Sequence, residues 1–150
     1  MRLKGRRAVV TGGGRGIGRA IALAFAKEGA DVAVLARTQT EIESVAAEVE
    51  ALGVRGFAVR CEVGNSRDVE TAMRAAGDYL GSVDILVANA GMMKHASVCE
   101  TSDEMWDETM RVNLNSVFWS SRAVVDAMSK IGWGRIIVMS SVSGKVGGAN

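Results

Sequence analysis

Proline is absent from all 150 residues, so 18 glycines are left to make the turns. Cysteine is nearly absent too. Cys61 and Cys99 are too few and too unpatterned for a disulfide framework or a structural zinc site, and His95, the single histidine, gives a metal little to bind. Both thiols are expected to be free, and no metal site is expected. Neither sign of charge is in excess: 18 Lys and Arg against 17 Asp and Glu leave a formal charge of +1, which argues against nucleic-acid binding through a basic surface. No apolar run approaches the roughly 18 residues of a membrane span, and no charged, then apolar, then small-residue leader is recognisable, so the expected location is the cytoplasm. What is present is 48% hydrophobic and 23% charged, enough for one globular domain with a genuine core.

The most informative run is Thr11-Gly12-Gly13-Gly14-Arg15-Gly16-Ile17-Gly18, directly after the apolar stretch Ala8-Val9-Val10. Glycines here let an extended segment turn sharply, admit a phosphate to the backbone, and start a helix close against its neighbour. The spacing excludes two common phosphate loops. Counted from Gly12, the third glycine of G-x-G-x-x-G falls on Ile17; counted from Gly13, the second falls on Arg15; and no Gly-Lys-Ser/Thr follows. What fits is T-G-x-x-x-G-x-G. Alone, such a run could also be merely a flexible turn.

Further along, Arg7 to Val10, Val32 to Ala36, Gly56 to Val59, Ile85 to Ala88 and Ile136 to Met139 are short, rich in Val and Ile, and not alternating in polarity, as strands covered on both faces read. Between them, apolar residues step by three and four: Ile17, Ala20, Ile21, Ala24 and Phe25; Ile42, Val45, Val49 and Leu52; Val69, Ala72, Met73, Ala76 and Leu80. Residues 103 to 130 form the longest periodic stretch, with Trp106, Met110, Val117, Ser121, Val124 and Met128 along one face. The order β-α-β-α-β-α-β-α-β implies an α/β, doubly wound parallel sheet of Rossmann type in one domain spanning residues 1 to 150, with ligands at the carboxyl ends of the strands. Asn113 falls on the apolar stripe of the long helix, where an unpaired amide would cost about 1–3 kcal/mol. By itself it reads as a core asparagine satisfied by a carbonyl or water.

Four motifs in one order resemble the short-chain dehydrogenase/reductase family, classical type, over the whole chain. The first is the turn, and the resemblance implies cofactor contacts from Thr11, Gly12, Gly14, Arg15, Gly16, Ile17 and Gly18. Ala88-Asn89-Ala90-Gly91 resembles the family's N-N-A-G with Ala88 in place of the first asparagine, and implies that Asn89, Ala90 and Gly91 line the nicotinamide side. Val112-Asn113-Leu114 matches V-N-x, placing Asn113 in the catalytic set with a proton-relay water. Gly134-Arg135-Ile136-Ile137-Val138-Met139-Ser140-Ser141-Val142-Ser143-Gly144 resembles the family's fifth strand and the serine after it; Ser141, rather than Ser140 or Ser143, is the expected catalytic hydroxyl. The implied strand order is 3-2-1-4-5. Glu62-Val63 takes the place of the usual Asp-Val at the adenine.

Cofactor choice follows from charge. A ribose without a 2′-phosphate usually meets a carboxylate at the end of the second strand, whereas a 2′-phosphate needs cations. This strand ends Leu35-Ala36-Arg37-Thr38, and Arg15 comes from the turn, so NADP(H) is expected over NAD(H). The resemblance implies hydride transfer between the nicotinamide and a ketone or secondary alcohol, with a 3-oxoacyl thioester as first choice, and a pocket wall from Met92, Met93 and His95. The long helix is apolar on more than one side, as a homo-oligomer contact would require. The family's general-acid tyrosine and the lysine four residues beyond it would fall past Asn150, and Tyr79, the only tyrosine, reads as a packing residue. A catalytically inactive dinucleotide-binding fragment or a nucleotide-sensing module is therefore the alternative expectation, and Ile136 to Met139 is expected to be an exposed sheet edge.

Overall fold

The computed structural model describes residues 1–146 as a parallel five-stranded sheet in the order β3-β2-β1-β4-β5, the order expected. The strands are β1 (Arg7–Thr11), β2 (Asp31–Ala36), β3 (Gly56–Arg60), β4 (Ile85–Ala88) and β5 (Arg135–Val138). The crossovers carry α1 (Gly16–Lys27), α2 (Gln39–Glu50), α3 (Ser66–Leu80), α4 (Asp103–Met110) and α5 (Ser116–Ile131), and a one-turn α6 (Ser143–Val146) follows β5. Each strand coincides with one of the short apolar runs, shifted by a residue at most.

Successive strand residues face opposite sides, so the sheet builds two cores. Val9, Leu35 and Leu86 pack with Val69 and Met73 of α3 and Val124 of α5. Val10, Val34 and Val87 pack on the other side with Ala22 of α1 and Ile42 and Val49 of α2. Strand β5 is different. Among the described residues it pairs only with β4, and Ile136, Ile137 and Val138 are 39%, 42% and 51% exposed.

The expected stripe of α3 is buried at all five positions, and Asn65 caps that helix by accepting the backbone N–H groups of Arg67 and Asp68. In α2, Ile42, Val45 and Val49 are buried, but Leu52 lies beyond the helix and is exposed. Two stripes are corrected. The buried line of α1 is Gly18, Ala22 and Ala26, with Ile21 and Phe25 half-buried beside it, while Ile17, Ala20 and Ala24 are exposed. This helix starts so close to the glycine turn that only small residues fit the line of contact. The long helix is also not one continuous α-helix: Arg111–Asn115 forms a π turn between α4 and α5. Its wider turn shifts the helical phase, so the buried line of α5 is Ser116, Ser120, Val124 and Met128, and Trp106 of α4 is 60% exposed. Two of those buried positions are serines whose hydroxyls donate to carbonyls one turn back, Ser116 to Val112 and Ser120 to Ser116, and so enter the core without a stranded polar group.

Candidate active site

Strand β1 runs into the glycine turn at Thr11, which is 5% exposed. Its hydroxyl oxygen accepts the backbone N–H groups of Asn89 at 3.0 Å and Ala90 at 3.1 Å, and donates to the Val87 carbonyl at 3.5 Å. The Asn89 amide nitrogen donates back to the carbonyls of Thr11 at 3.0 Å and Gly12 at 3.3 Å. The carboxyl ends of β1 and β4 are thus stitched together where the chain's crossovers diverge to opposite halves of the sheet, the place where open α/β sheets bind ligands.

The turn itself needs glycine for distinct reasons. Gly12 and Gly16 have φ of +64° and +55°, left-handed backbone that other residues rarely adopt. At Gly18 a Cβ would stand 2.2 Å from the Gly12 carbonyl oxygen, whereas at Gly16 it would meet nothing within 4 Å. The turn is packed beneath and open above. Helix α1 begins with no side-chain cap and no acidic residue in its first turn, leaving its N–H groups free for an anion. These features fit a dinucleotide pyrophosphate.

Above the turn lies a cleft of about 290 Å³. Of the residues singled out from sequence, Gly12, Gly14, Arg15, Arg37, Glu62, Val63, Asn89, Ala90 and Gly91 line it. Thr11 and Gly18 are buried in the turn, and Gly16 and Ile17 lie off the lining, with Ile17 63% exposed. Met92, expected in a pocket wall, lines it as well, while Ala36, Thr38, Glu41, Cys61 and Val112 were not assigned to the site from sequence. Glu41 was findable as an acidic residue in the first turn of α2.

The electrostatics differ from the sequence expectation in one respect. The end of β2 carries no carboxylate, but α2 supplies Glu41 to the cleft and the loop after β3 supplies Glu62. One Glu62 oxygen, Oε2, lies 3.7 Å from Arg37, and the other accepts the Gly64 N–H at 3.3 Å. Arg15 has no carboxylate partner among the described residues. The Cys61 thiol, 1% exposed in the cleft floor, is pushed up to about 12, chiefly by burial, with Asp68 and Glu62 adding to the effect.

Asn113 sits in the π turn and is exposed, not buried as its place on the stripe implied. Its amide clamps the loop after β4: Oδ1 accepts the Met92 N–H and Nδ2 donates to the Met92 carbonyl, both at 2.8 Å. Each end keeps one further hydrogen-bonding position. The same loop, with Met93 and His95 exposed, is tied down by Lys94 to Glu108 and by a capping box between Ser97 and Glu100 at the 3-10 turn Val98–Glu100. Ser141 is exposed just past β5, and its Oγ accepts the Ser143 N–H at 3.2 Å. It does not line the cleft, but Ala88 and Val138 are register partners and the Met139 N–H donates to the Ala88 carbonyl, so the Ser140–Ser141 and Asn89–Gly91 segments leave adjacent strand ends. Tyr79 stacks on Phe57 at 4.2 Å, as a packing residue would.

A glycine-rich β1–α1 turn at the switch point of a five-stranded parallel sheet defines a Rossmann-type protein. The chain belongs to the short-chain dehydrogenase family, whose sequence model, described as short chain dehydrogenase, matches residues 6–150. It is 37% identical over 149 residues to the 3-oxoacyl-[acyl-carrier-protein] reductase of Pseudomonas aeruginosa, covering 99% of this chain and 60% of that protein. A short-chain type dehydrogenase/reductase from Mycobacterium marinum superposes with a TM-score of 0.92 at 34% identity, over 99% of this chain and 60% of that one. A short chain dehydrogenase from Burkholderia cenocepacia, solved in complex with NADP, gives a TM-score of 0.90 at 35% identity, over all of this chain and 61% of that one. The chain therefore spans about 60% of the length of the curated relative. No described helix is long and apolar enough to cross a membrane.

Proposed function

We propose that this chain is the dinucleotide-binding part of an NADP(H)-dependent oxidoreductase acting on a ketone or secondary alcohol, with a 3-oxoacyl thioester as the first substrate to try. The observation that carries the reading is the Thr11–Asn89 stitch, which holds an open glycine turn beneath a cleft walled by Arg15 and Arg37. The nicotinamide cofactor, when bound, supplies the hydride. The chain's residues supply the setting: backbone N–H groups of α1 take the pyrophosphate, Arg15 and Arg37 take the 2′-phosphate, Asn89, Ala90 and Gly91 border the nicotinamide, Ser141 hydrogen-bonds the carbonyl oxygen, and Asn113 positions the Met92 loop and has capacity left for a water. The similarity to a 3-oxoacyl-[acyl-carrier-protein] reductase and to an NADP complex supports this reading. A cytoplasmic location and a homo-oligomer contact through α4 and α5, whose Trp106 and Phe118 are exposed, belong to the same proposal.

A second reading is a dinucleotide-binding module without turnover; Tyr79 is stacked on Phe57 and does not line the cleft. Titration of the protein with NADPH and NADH, with turnover followed on a panel of ketones, separates the two. Arg37→Ala is expected to weaken NADPH binding by about 1.5 kcal/mol, the low end for a hydrogen bond to a charged group, because Arg37 is 69% exposed. Unchanged NADPH affinity would remove the NADP(H) assignment.

A further inference from the structure

Glu62, placed at the adenine by the family resemblance, also meets a cation that the adenine does not need. Its backbone N–H donates to Asp68 Oδ2 at 3.4 Å and its Oε1 accepts the Gly64 N–H at 3.3 Å, so the loop turns the remaining oxygen toward Arg37, 3.7 Å away. A carboxylate thus stands at the guanidinium assigned to the 2′-phosphate. The pair does not exist in isolation: Glu41 lines the same cleft, and Arg37 lies close enough to Glu108 on α4 to help lower that carboxyl below its ordinary value. Arg15, by contrast, faces the cleft with no carboxylate partner among the described residues.

We propose that Glu62 is a specificity-determining residue that restrains the preference for the 2′-phosphorylated cofactor, by competing for Arg37 and by repelling the phosphate. A dinucleotide with a 2′-phosphate must displace the carboxylate from Arg37, whereas one with a free 2′-hydroxyl need not. Chain length matters here, because an aspartate is one methylene shorter and would leave a wider gap to Arg37 while keeping the charge. The inference rests on the NADP(H) reading above.

The test is calorimetric titration of the purified protein with NADPH and with NADH, for the parent, Glu62→Gln, Arg37→Ala and the double variant. Glutamine keeps an oxygen for the Gly64 N–H, and circular dichroism checks that the fold is retained. Glu62→Gln is expected to raise the NADPH-over-NADH affinity ratio about threefold to tenfold, the scale of an exposed ion pair plus a removed repulsion. In the Arg37→Ala background the gain should shrink to about twofold or less, since most of it passes through the guanidinium. A ratio that stays the same or falls in Glu62→Gln, or a gain that survives intact without Arg37, overturns the inference. If Arg37→Ala still weakens NADPH while Glu62→Gln moves nothing, the cofactor reading stands and the role of Glu62 falls; if Arg37→Ala leaves NADPH unaffected, both fall.

Discussion

Gly18 and Gly16 differ by two positions in sequence and entirely in what they touch. A methyl at Gly18 would lie 2.2 Å from the Gly12 carbonyl oxygen and 2.6 Å from the Asn89 amide nitrogen, so α1 would have to move off the turn. Gly18→Ala is expected to cost about 1–3 kcal/mol and to weaken dinucleotide binding with it, whereas Gly16→Ala should cost about 1 kcal/mol, from its left-handed backbone alone. Urea denaturation of both variants checks the order; equal costs would mean that the close approach is not rigid. Cys61 carries a second residue-scale prediction. Burial raises its pKa in the folded chain from 9.0 to about 12, so the unfolded chain loses this proton first and stability falls as pH rises from 9 toward 12, by at most about 1.4 kcal/mol per unit. Below pH 9 the group contributes no pH dependence. A disulfide reagent at neutral pH should therefore titrate one thiol, the exposed Cys99, and a second only after unfolding. At this scale the glycine turn, Asn89 and Arg37 were legible because their residue types are rare solutions to steric or charge problems. Glu62 was placed at the cofactor only through the family resemblance, and Glu41 was missed, since a carboxylate in a first helical turn is usually solvated and only the fold turns it toward the cleft.

Elements were readable to the extent that periodicity alone decides burial. In α3 it does, and the whole stripe is buried. In α1 the short distance to the turn reverses the preference for large residues, and in α5 the π turn at Arg111–Asn115 shifts the phase by an amount no fixed period anticipates. That same π turn carries Asn113 out to Met92, a clamp between α4–α5 and the loop after β4 that a regular helix would not present in this way. The loop has a pH signature of its own. Glu100 is held below the ordinary carboxylate value of 4.5 by the Ser97 hydroxyl and N–H, and Glu108 by the side chain of Lys94. Because both folded values are depressed, their contribution is complete above pH 4.5 and is lost as pH falls through the lower folded values. An NMR titration should show the Ser97 and Thr101 amides shifting with midpoints below 4.5; a midpoint at or above it would mean that these ties do not hold in solution.

For the whole molecule, strand order followed from the alternation of strands and helices plus right-handed crossovers, and needed no individual side chain. The exposed sheet edge expected at Ile136 to Met139 is found at β5, which lies at the margin of the described sheet. With Ile136, Ile137 and Val138 exposed, the described residues present an apolar strand that is paired with β4 on one edge and unpaired on the other. Ile137→Lys is expected to lower self-association in light scattering while leaving NADPH affinity within about twofold, because a charge on an exposed edge opposes strand pairing; unaltered association would place the contact elsewhere. The Thr11–Asn89 stitch also has a bearing on time. The two residues are 78 positions apart and the clamp on Met92 waits for Asn113, so the cleft has no complete form in the early part of the chain. On a ribosome adding about 5–20 residues per second, the glycine turn exists for roughly 5–20 s before its last partner is made. During that interval β1, β2 and β3 can pair and bury their own apolar residues, but the phosphate turn has nothing behind it. Cofactor capture is thus deferred until the chain has been read through Asn113, and the nucleotide can act as a ligand of the assembled sheet but not as a template for its first three strands.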